Sequence, residues 1–220
     1  MNSQQLQKTP LFQTLDDDTC NWLLGQAKRR VYQKGEVVFW EGEPALGLYW
    51  LQVGWLKAVK QLANGREQIL QFFEPAHTFH EIGGFTQQAN PATVIALDEA
   101  HVWLIPREAM AALLRDQPHF AQHVIVVMAQ RMQYLVGLVQ DLSLRPVIGR
   151  LARLILESAD ENTFHRPSWF TQTELAARLG TVPDVVQRTL RGLEADGLIE
   201  VQRRRIHIKD RAKLAELIVA

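Results

Sequence analysis

The chain has 220 residues, of which 47% are hydrophobic and 22% charged, a composition typical of a globular protein with one large domain or two ordinary ones. Its 24 basic and 24 acidic side chains balance, so net charge alone indicates no polyanionic partner, although the excess of basic residues lies after Ser143. One cysteine, Cys20, excludes an internal disulfide and an all-cysteine metal site.

The N-terminal stretch, MNSQQLQKTP, lacks the apolar core of a signal peptide, and no apolar run is long enough to span a membrane. We therefore expect a cytoplasmic protein with no membrane segment. Leucines at helical spacing, with three aspartates near their start, predict a helix over residues 11–30.

A β-rich region follows this helix. Short runs of β-branched and aromatic residues alternate with glycine, proline and asparagine, which is typical of a β-sandwich or barrel. The pair Asn64-Gly65 is a strong signal for a hairpin turn. The predicted strands cover residues 37–40, 47–51, 55–59, 68–73, 93–97 and 101–105.

At Pro106 the spacing of apolar residues becomes helical, with a short helix over 106–117 and a long one from Pro118 to about Leu142. The long helix is too apolar for a solvated linker. We expect it to pair with its own copy in a homodimer, the alternative being a core helix within one domain. The predicted interface row is Val124, Val127, Met128, Arg131, Leu135, Leu138 and Leu142.

A hinge is predicted at residues 143–146, because Pro146 disfavours helical geometry at Arg145. Another apolar helix is predicted over 147–158, and a polar loop over 160–168.

Two short helices joined by a tight turn follow the loop. Thr171 and Glu174 match a capping box at the start of the first helix. Gly180 suits its end, and Pro183 suits the first turn of the second helix. The second helix combines a buried valine and leucine stripe with outward polar side chains, which are Asp184, Gln187, Arg188 and Arg191. This is the helix-turn-helix pattern of major-groove readers, the alternative being a surface helix pair in any helical domain.

Three segments of the chain carry a family resemblance. They read KGEVVFWEGEPALGLYWLQVGWLKAVK, ANGREQILQFFEPAHTFHEIGGF and TQTELAARLGTVPDVVQRTLRGLEADGLI. Along nearly its whole length the chain resembles the CRP/FNR superfamily of transcription regulators. The resemblance implies an α+β fold with a cyclic-nucleotide-binding-like β-roll over 1–117, a dimerisation helix over 118–142 and a winged helix-turn-helix over 143–220.

The resemblance also implies the partners. Such a protein is a homodimer that binds double-stranded DNA at a palindromic site, and it is not an enzyme. The polar loop at 160–168 resembles the region through which family activators contact RNA polymerase.

The effector positions depart from the pattern of cyclic-AMP-binding relatives. The glutamate that binds the ribose is present as Glu81, in a turn with Gly83 and Gly84. The Arg-Ser pair that holds the cyclic phosphate falls on Pro91 and Ala92, which offer neither charge nor hydroxyl. The pair that meets the adenine falls on Leu135 and Val136. We therefore expect an effector other than cyclic AMP, and Glu81 then serves as an acceptor for backbone N–H groups of its turn.

Heme is the alternative cofactor. His77 and His80 lie in the predicted effector loop, and an imidazole can ligate heme iron. The simpler interpretation is that both are partly exposed loop histidines without a metal. The sequence names no cofactor.

The predicted DNA-reading helix has Pro183 where the family pattern has an arginine. Asp184 stands for the family glutamate and Arg188 matches the later arginine, so these two are predicted to read bases and to orient each other. Gln187 lies on the same face. Phosphate contacts are predicted for Thr171, Gln172, Arg191 and Arg204.

An enzyme of the cupin type is a distant alternative. Cupin metal sites need two histidines one residue apart and a later glutamate, and His77, His80 and Glu81 lack that spacing. The sequence HEIGG at residue 80 is not the metalloprotease motif HExxH, because its fifth residue is Gly84.

Overall fold

The computed structural model describes residues 3–61, 65 and 67–218. Its contacts divide the chain into two compact units. The N-terminal unit comprises Met1–Lys60 and Leu70–Tyr134, and the C-terminal unit comprises Gln61–Ile69 and Leu135–Ala220. The predicted hairpin residue Asn64 lies outside the described residues.

Two four-stranded sheets form the β-roll. One has the strand order β1-β8-β3-β6 and the other β2-β7-β4-β5. Alternate side chains of both sheets point between them and bury a core that includes Phe39, Tyr49 and Phe79. The strands are β1 (Lys28–Tyr32), β2 (Val37–Phe39), β3 (Gly47–Val53), β4 (Leu56–Gln61), β5 (Glu67–Phe73), β6 (His77–Phe79), β7 (Thr93–Ala96) and β8 (Ala100–Pro106).

Helices cover the other face of the first sheet. A second core forms there around Trp50, whose Nε1–H donates to Thr9 Oγ1 at 2.7 Å, so its one polar group is satisfied in the interior. The helices are α1 (Ser3–Gln7), α2 (Asp17–Gln26), α3 (Glu81–Phe85), α4 (Arg107–Asp116) and α5 (Pro118–Leu144).

The predicted helix over 11–30 was wrong at both ends. Helix α2 begins where Asp16 accepts the backbone N–H of Thr19, and it ends before Ala27, which is extended. Residues Lys28–Tyr32 instead pair antiparallel with β8. This long-range pairing supplies ladder hydrogen bonds that local sequence does not reveal.

The C-terminal unit combines three main helices with a small sheet in the order β11-β12-β10-β9. Its elements are α6 (Val147–Ser158), β9 (Ala159–Asp160), β10 (Thr163–His165), α7 (Gln172–Leu179), α8 (Pro183–Ala195), β11 (Ile199–Gln202), β12 (Arg205–Ile208) and α9 (Arg211–Glu216). The predicted polar loop over 160–168 therefore contains a strand. Phe164 of β10 is buried opposite Ile206 of β12, and this pairing explains the strand.

The long helix ends within the predicted hinge: α5 runs to Leu144, and α6 begins after Pro146. Pro146 disfavours helical geometry at Arg145 and so separates the two helices. Asp141 near the end of α5 accepts hydrogen bonds from Arg145 in the hinge and from Arg153 of α6, the latter at 2.9 Å. The carboxylate thus ties both sides of the hinge together. Within the described residues, no helix is long and apolar enough to cross a membrane.

The α+β class, the β-roll, the long helix and the C-terminal helix-turn-helix are confirmed. The sequence missed β6 and the short helices α1, α3 and α9, which have three to six residues each and too few positions to show a period.

Candidate DNA interface and effector site

The helix-turn-helix is built by local signals. Thr171 Oγ1 accepts the backbone N–H of Glu174 at 3.3 Å and caps α7. Gly180 ends α7 at φ +66°, a conformation that side chains other than glycine rarely adopt. Helix α8 then begins with Pro183 as its first residue. Capping and glycine geometry therefore fix the angle between α7 and α8.

Helix α8 presents a polar face to solvent. Its valine and leucine side chains at 186, 190 and 193 are buried against the rest of the C-terminal unit. The outward residues Asp184, Gln187, Arg188 and Arg191 are all exposed. Spacings of three and four residues place them on one side of the helix.

The predicted pairing of Asp184 with Arg188 is not formed. In the described part of the chain neither side chain has a hydrogen-bond or ion-pair partner. Both are free to meet another molecule.

The wing presents further cations. Strands β11 and β12 are joined by a two-residue turn of Arg203 and Arg204, both exposed. Thr171 and Gln172 at the start of α7 are exposed as well.

A half-buried arginine, Arg166, which the sequence did not single out, is hydrogen-bonded to the wing. The backbone N–H of Arg166 donates to the carbonyl of Arg204 at 2.8 Å, and its Nη2 donates to Phe170 O at 3.1 Å. Burial lowers the pKa of this guanidinium. An arginine just before a Pro-Ser loop carries no sequence signal for such a role.

Glu81 in the predicted effector site has a partner that the sequence did not suggest. Its Oε1 accepts from Arg131 Nη2 at 2.7 Å and from Thr78 Oγ1 at 3.0 Å. Arg131 also donates to Thr78 O at 2.6 Å and to Gln71 Oε1 at 3.2 Å. Arg131, predicted for the dimer interface, thus ties α5 to α3, and Glu81 binds side chains rather than the backbone of its glycine turn.

The two glycines after Glu81 allow close packing. A Cβ at Gly83 would lie 2.2 Å from the His80 ring, and one at Gly84 would lie 2.8 Å from Leu48 Cβ. Both positions therefore serve the packing of α3 on β3.

The remaining predicted effector residues are dispersed. Pro91 is exposed and Ala92 is buried in the N-terminal unit. Leu135 and Val136 belong to the C-terminal unit and are 53% and 64% exposed.

The histidines are not equivalent loop residues. His77 is in β6 and about a third exposed, whereas His80 precedes α3 at φ +63° and is largely buried. The His80 ring packs 4.6 Å from Phe39, and its Nδ1–H donates to Gly47 O at 3.3 Å. Burial lowers the pKa of His80, and its buried Nε2 has no partner among the described residues.

A heme does not fit these histidines. His80 is enclosed by Phe39 on one side and by Gly83 in close contact, so an iron could reach it only if this core were displaced. His77 borders a cleft of about 220 Å³. Pockets for drug-sized ligands have volumes of ~300–1,000 Å³, so this cleft is smaller than they are. A porphyrin is larger than a typical drug-sized ligand and does not fit the cleft.

That cleft has Arg131 in its wall, and we call it the Arg131 cleft. It is lined by polar groups of Gln71, His77 and Thr78 and by apolar surface of Pro10 and Tyr134.

The predicted dimer row on α5 requires a correction. Val124 and Val127 are buried in the helix-covered core of their own chain, where Met128 also packs. Leu138 is buried too, and Leu142 is half-buried in its own unit. The row is therefore buried or half-buried within its own chain, except for Leu135, which is 53% exposed.

A parallel row one residue further along α5 is free. It has the alternating spacing of three and four residues of a coiled-coil seam, and its four large apolar side chains are 63–69% exposed. We call it the α5 seam, and it comprises Ile125, Ala129, Met132, Val136 and Val139.

Comparisons with known proteins agree with this layout. The model of the cyclic nucleotide-binding domain matches residues 29–117, and that of the Crp-like helix-turn-helix domain matches residues 149–217. The CRP-like cAMP-activated global transcriptional regulator of Mycobacterium tuberculosis is 24% identical over 216 residues, which are 96% of each chain. The probable transcriptional regulator flp of Lacticaseibacillus casei is 29% identical, over 90% of this chain and 91% of flp. The structure of FixK2 from Bradyrhizobium japonicum superimposes with a TM-score of 0.77 at 23% identity, over 88% of this chain and 98% of FixK2.

Proposed function

Because the chain belongs to the CRP/FNR superfamily of DNA-binding transcription regulators, we propose that it acts as a homodimer on palindromic DNA under an effector other than cyclic AMP. The observation that carries the proposal is the exposed polar face of α8, with Asp184, Gln187 and Arg188 lacking partners within the described chain. An unpaired arginine beside a carboxylate on an open helix face can serve as a base reader.

The assignment of DNA contacts follows from exposure and chemistry. Arg188 is suited to donate two hydrogen bonds to guanine, and Asp184 to accept from cytosine N4. Gln187 is suited to adenine. The groups around this face position the phosphates, namely Thr171, Gln172, Arg191 and Arg204.

Dimerisation is supported by the α5 seam. A row of exposed apolar side chains at coiled-coil spacing is costly in water and is buried when two α5 helices pair. Such pairing holds two α8 helices about one turn of DNA apart on a site with matching two-fold symmetry.

The case against cyclic AMP rests on Pro91 and Ala92. A cyclic phosphate in a pocket needs a charge-assisted donor, and neither side chain can supply one. Glu81, the remaining match to the nucleotide pattern, is already engaged by Arg131. RNA polymerase stays a predicted partner of residues 160–168.

Selection of DNA fragments from a random library, followed by footprinting, tests this function. We expect a palindromic site with two half-sites separated by about one helical turn. Retention of fragments without a common sequence, or a single asymmetric half-site, would contradict the proposal.

The same selected site, titrated with and without cyclic AMP, tests the effector. We expect the affinity to be unchanged. A tighter complex with cyclic AMP would refute this part alone and leave DNA binding intact.

A further inference from the structure

The Arg131 guanidinium has donors to spare. Three of its five N–H groups have acceptors among the described residues, which are Gln71 Oε1, Thr78 O and Glu81 Oε1. The side chain is also 24% exposed, so it is not sealed in the core. The two other N–H groups can bind an anion without any change of the protein backbone.

The Arg131 cleft lets such an anion reach these donors. Its volume of about 220 Å³ corresponds to about seven water molecules at ~30 Å³ each. The exposed side chain of Pro10 and the ring of Tyr134 form the apolar wall, whereas Gln71 and His77 offer polar groups near the guanidinium. The cleft therefore has a cationic end and an apolar end. It suits a short molecule with an anionic group at one end and an apolar tail at the other.

We propose that the Arg131 cleft binds a small aliphatic carboxylic acid as its monoanion. The free donors are one N–H on Nη1 and the N–H on Nε, because both N–H groups of Nη2 are already used. A carboxylate oxygen accepts a charge-assisted hydrogen bond from such a donor, and a tail of a few methylenes fills the remaining volume. A phosphate dianion suits the cleft less well. The guanidinium already forms an ion pair with Glu81, and the Glu81 carboxylate repels a dianion more strongly than a monoanion.

Binding has a structural consequence for the long helix. Glu81 is the first residue of α3, Arg131 lies in α5, and their ion pair ties these helices together. A bound carboxylate that also accepts from Arg131 weakens the ion pair between Arg131 and Glu81. Ligand binding in the cleft therefore changes how firmly α5, which carries the α5 seam, is held to α3. This regulatory meaning rests on the proposed function, whereas the binding itself does not.

Calorimetric titration of the full-length protein with hexanoate tests the binding. Hexanoate has about eight non-hydrogen atoms, which matches the cleft volume. We expect hexanoate to bind, and neither its uncharged analogue hexanamide nor inorganic phosphate to bind comparably. Binding of hexanamide equal to that of hexanoate would show an apolar site only, and tighter binding of phosphate would show a different ligand class. Either result overturns the proposal.

Two substitutions locate the site. Arg131→Gln removes the cation and should abolish hexanoate binding, and Arg115→Gln, an exposed arginine of α4, should leave it unchanged. Glu81→Gln removes the competing charge but keeps an oxygen acceptor, so hexanoate should bind about tenfold more tightly. A purely structural ion pair would not tighten binding in this way.

The outcome for Glu81→Gln is decisive provided that the variant unfolds at a temperature near that of the wild type. Unchanged or weaker hexanoate affinity overturns the proposal. DNA footprinting in parallel separates the two conclusions, because a protein that protects its palindromic site but binds no hexanoate refutes this inference and retains the proposed function.

Discussion

Single residues decide what α8 reads. Arg188 is exposed and has no partner in the described chain, whereas Arg191 lies one turn further along the same face. We assign Arg188 to a contact with a base and Arg191 to a contact with a phosphate. Substitution of each arginine distinguishes these roles.

Arg188→Ala should weaken binding to the selected site by about 1–3 kcal/mol and relax the preference at one base pair. Arg191→Ala should weaken specific and non-specific binding alike and reduce the salt slope by about one. Fluorescence anisotropy at several salt concentrations measures both. Equal effects of the two variants on specificity would show that Arg188 is not the reader.

Gly83→Ala should destabilise the N-terminal unit. The added Cβ would meet the His80 ring at 2.2 Å and Gly47 O at 2.6 Å, and overpacking of this kind costs about 1–3 kcal/mol. Gly25→Ala in α2 meets nothing within 4 Å and should be neutral or stabilise by up to about 1 kcal/mol. Urea unfolding compares the two, and a neutral Gly83→Ala would contradict the close packing.

His80 should make the fold sensitive to mild acid. Burial lowers the pKa of His80 below its value in the unfolded chain, which is about 6.5, so the folded state favours the neutral ring. The stabilisation is complete above that pH and is lost as the pH falls below it. His80→Asn tolerates the left-handed backbone and removes the titrating group. Urea unfolding between pH 7 and pH 5 should therefore show a smaller loss of stability for this variant, and an equal loss would assign the effect to another group.

At the scale of elements, α5 has two apolar rows one residue apart. The row of Val124 and Val127 is buried in its own chain, and the row of Met132 and Val139 faces solvent. Successive residues of an α-helix are rotated by about 100° about its axis, so two rows that are one residue apart face different directions. We therefore expect a dimer contact to form through the second row.

The double variant Met132→Glu/Val139→Glu should raise the dimer dissociation constant by about 100-fold or more, because like charges from both copies would meet along the seam. Gln130→Glu, exposed on α5 but away from the seam, serves as the control. Sedimentation velocity measures the association. If the double variant and the control associate equally well, α5 does not pair through this row.

At the scale of the whole molecule, the α5 helix connects in sequence a unit that matches the cyclic nucleotide-binding domain and a unit that contains the DNA-binding half. The N-terminal unit retains the glutamate of the nucleotide pattern but has tied it to Arg131. It encloses His80 in an aromatic core. We therefore expect neither cyclic AMP nor heme to be the effector.

The protein purified from its native host should therefore be colourless. An absorption spectrum of the reduced and oxidised protein should lack a Soret band, because His80 is enclosed and the cleft beside His77 is small. A Soret band that His77→Ala or His80→Asn abolishes would restore the heme interpretation.

Much of the DNA-binding half was predictable because its determinants are local. A cap at Thr171, a left-handed glycine at 180 and a proline at 183 each act within a few residues, and the structure retains all three. The β-rich runs and the start of α5 at Pro118 were predictable for the same reason.

Only the tertiary structure decided the contacts between distant segments. Glu81 and Arg131 are 50 residues apart in the chain, and no local pattern joins them. Both rows of α5 have the period of a buried helix face, so the sequence determined that α5 is amphipathic but not which row packs inside. The packing of α5 against the helix-covered core buried one row and left the other exposed to solvent, because the two rows face different directions around the helix axis.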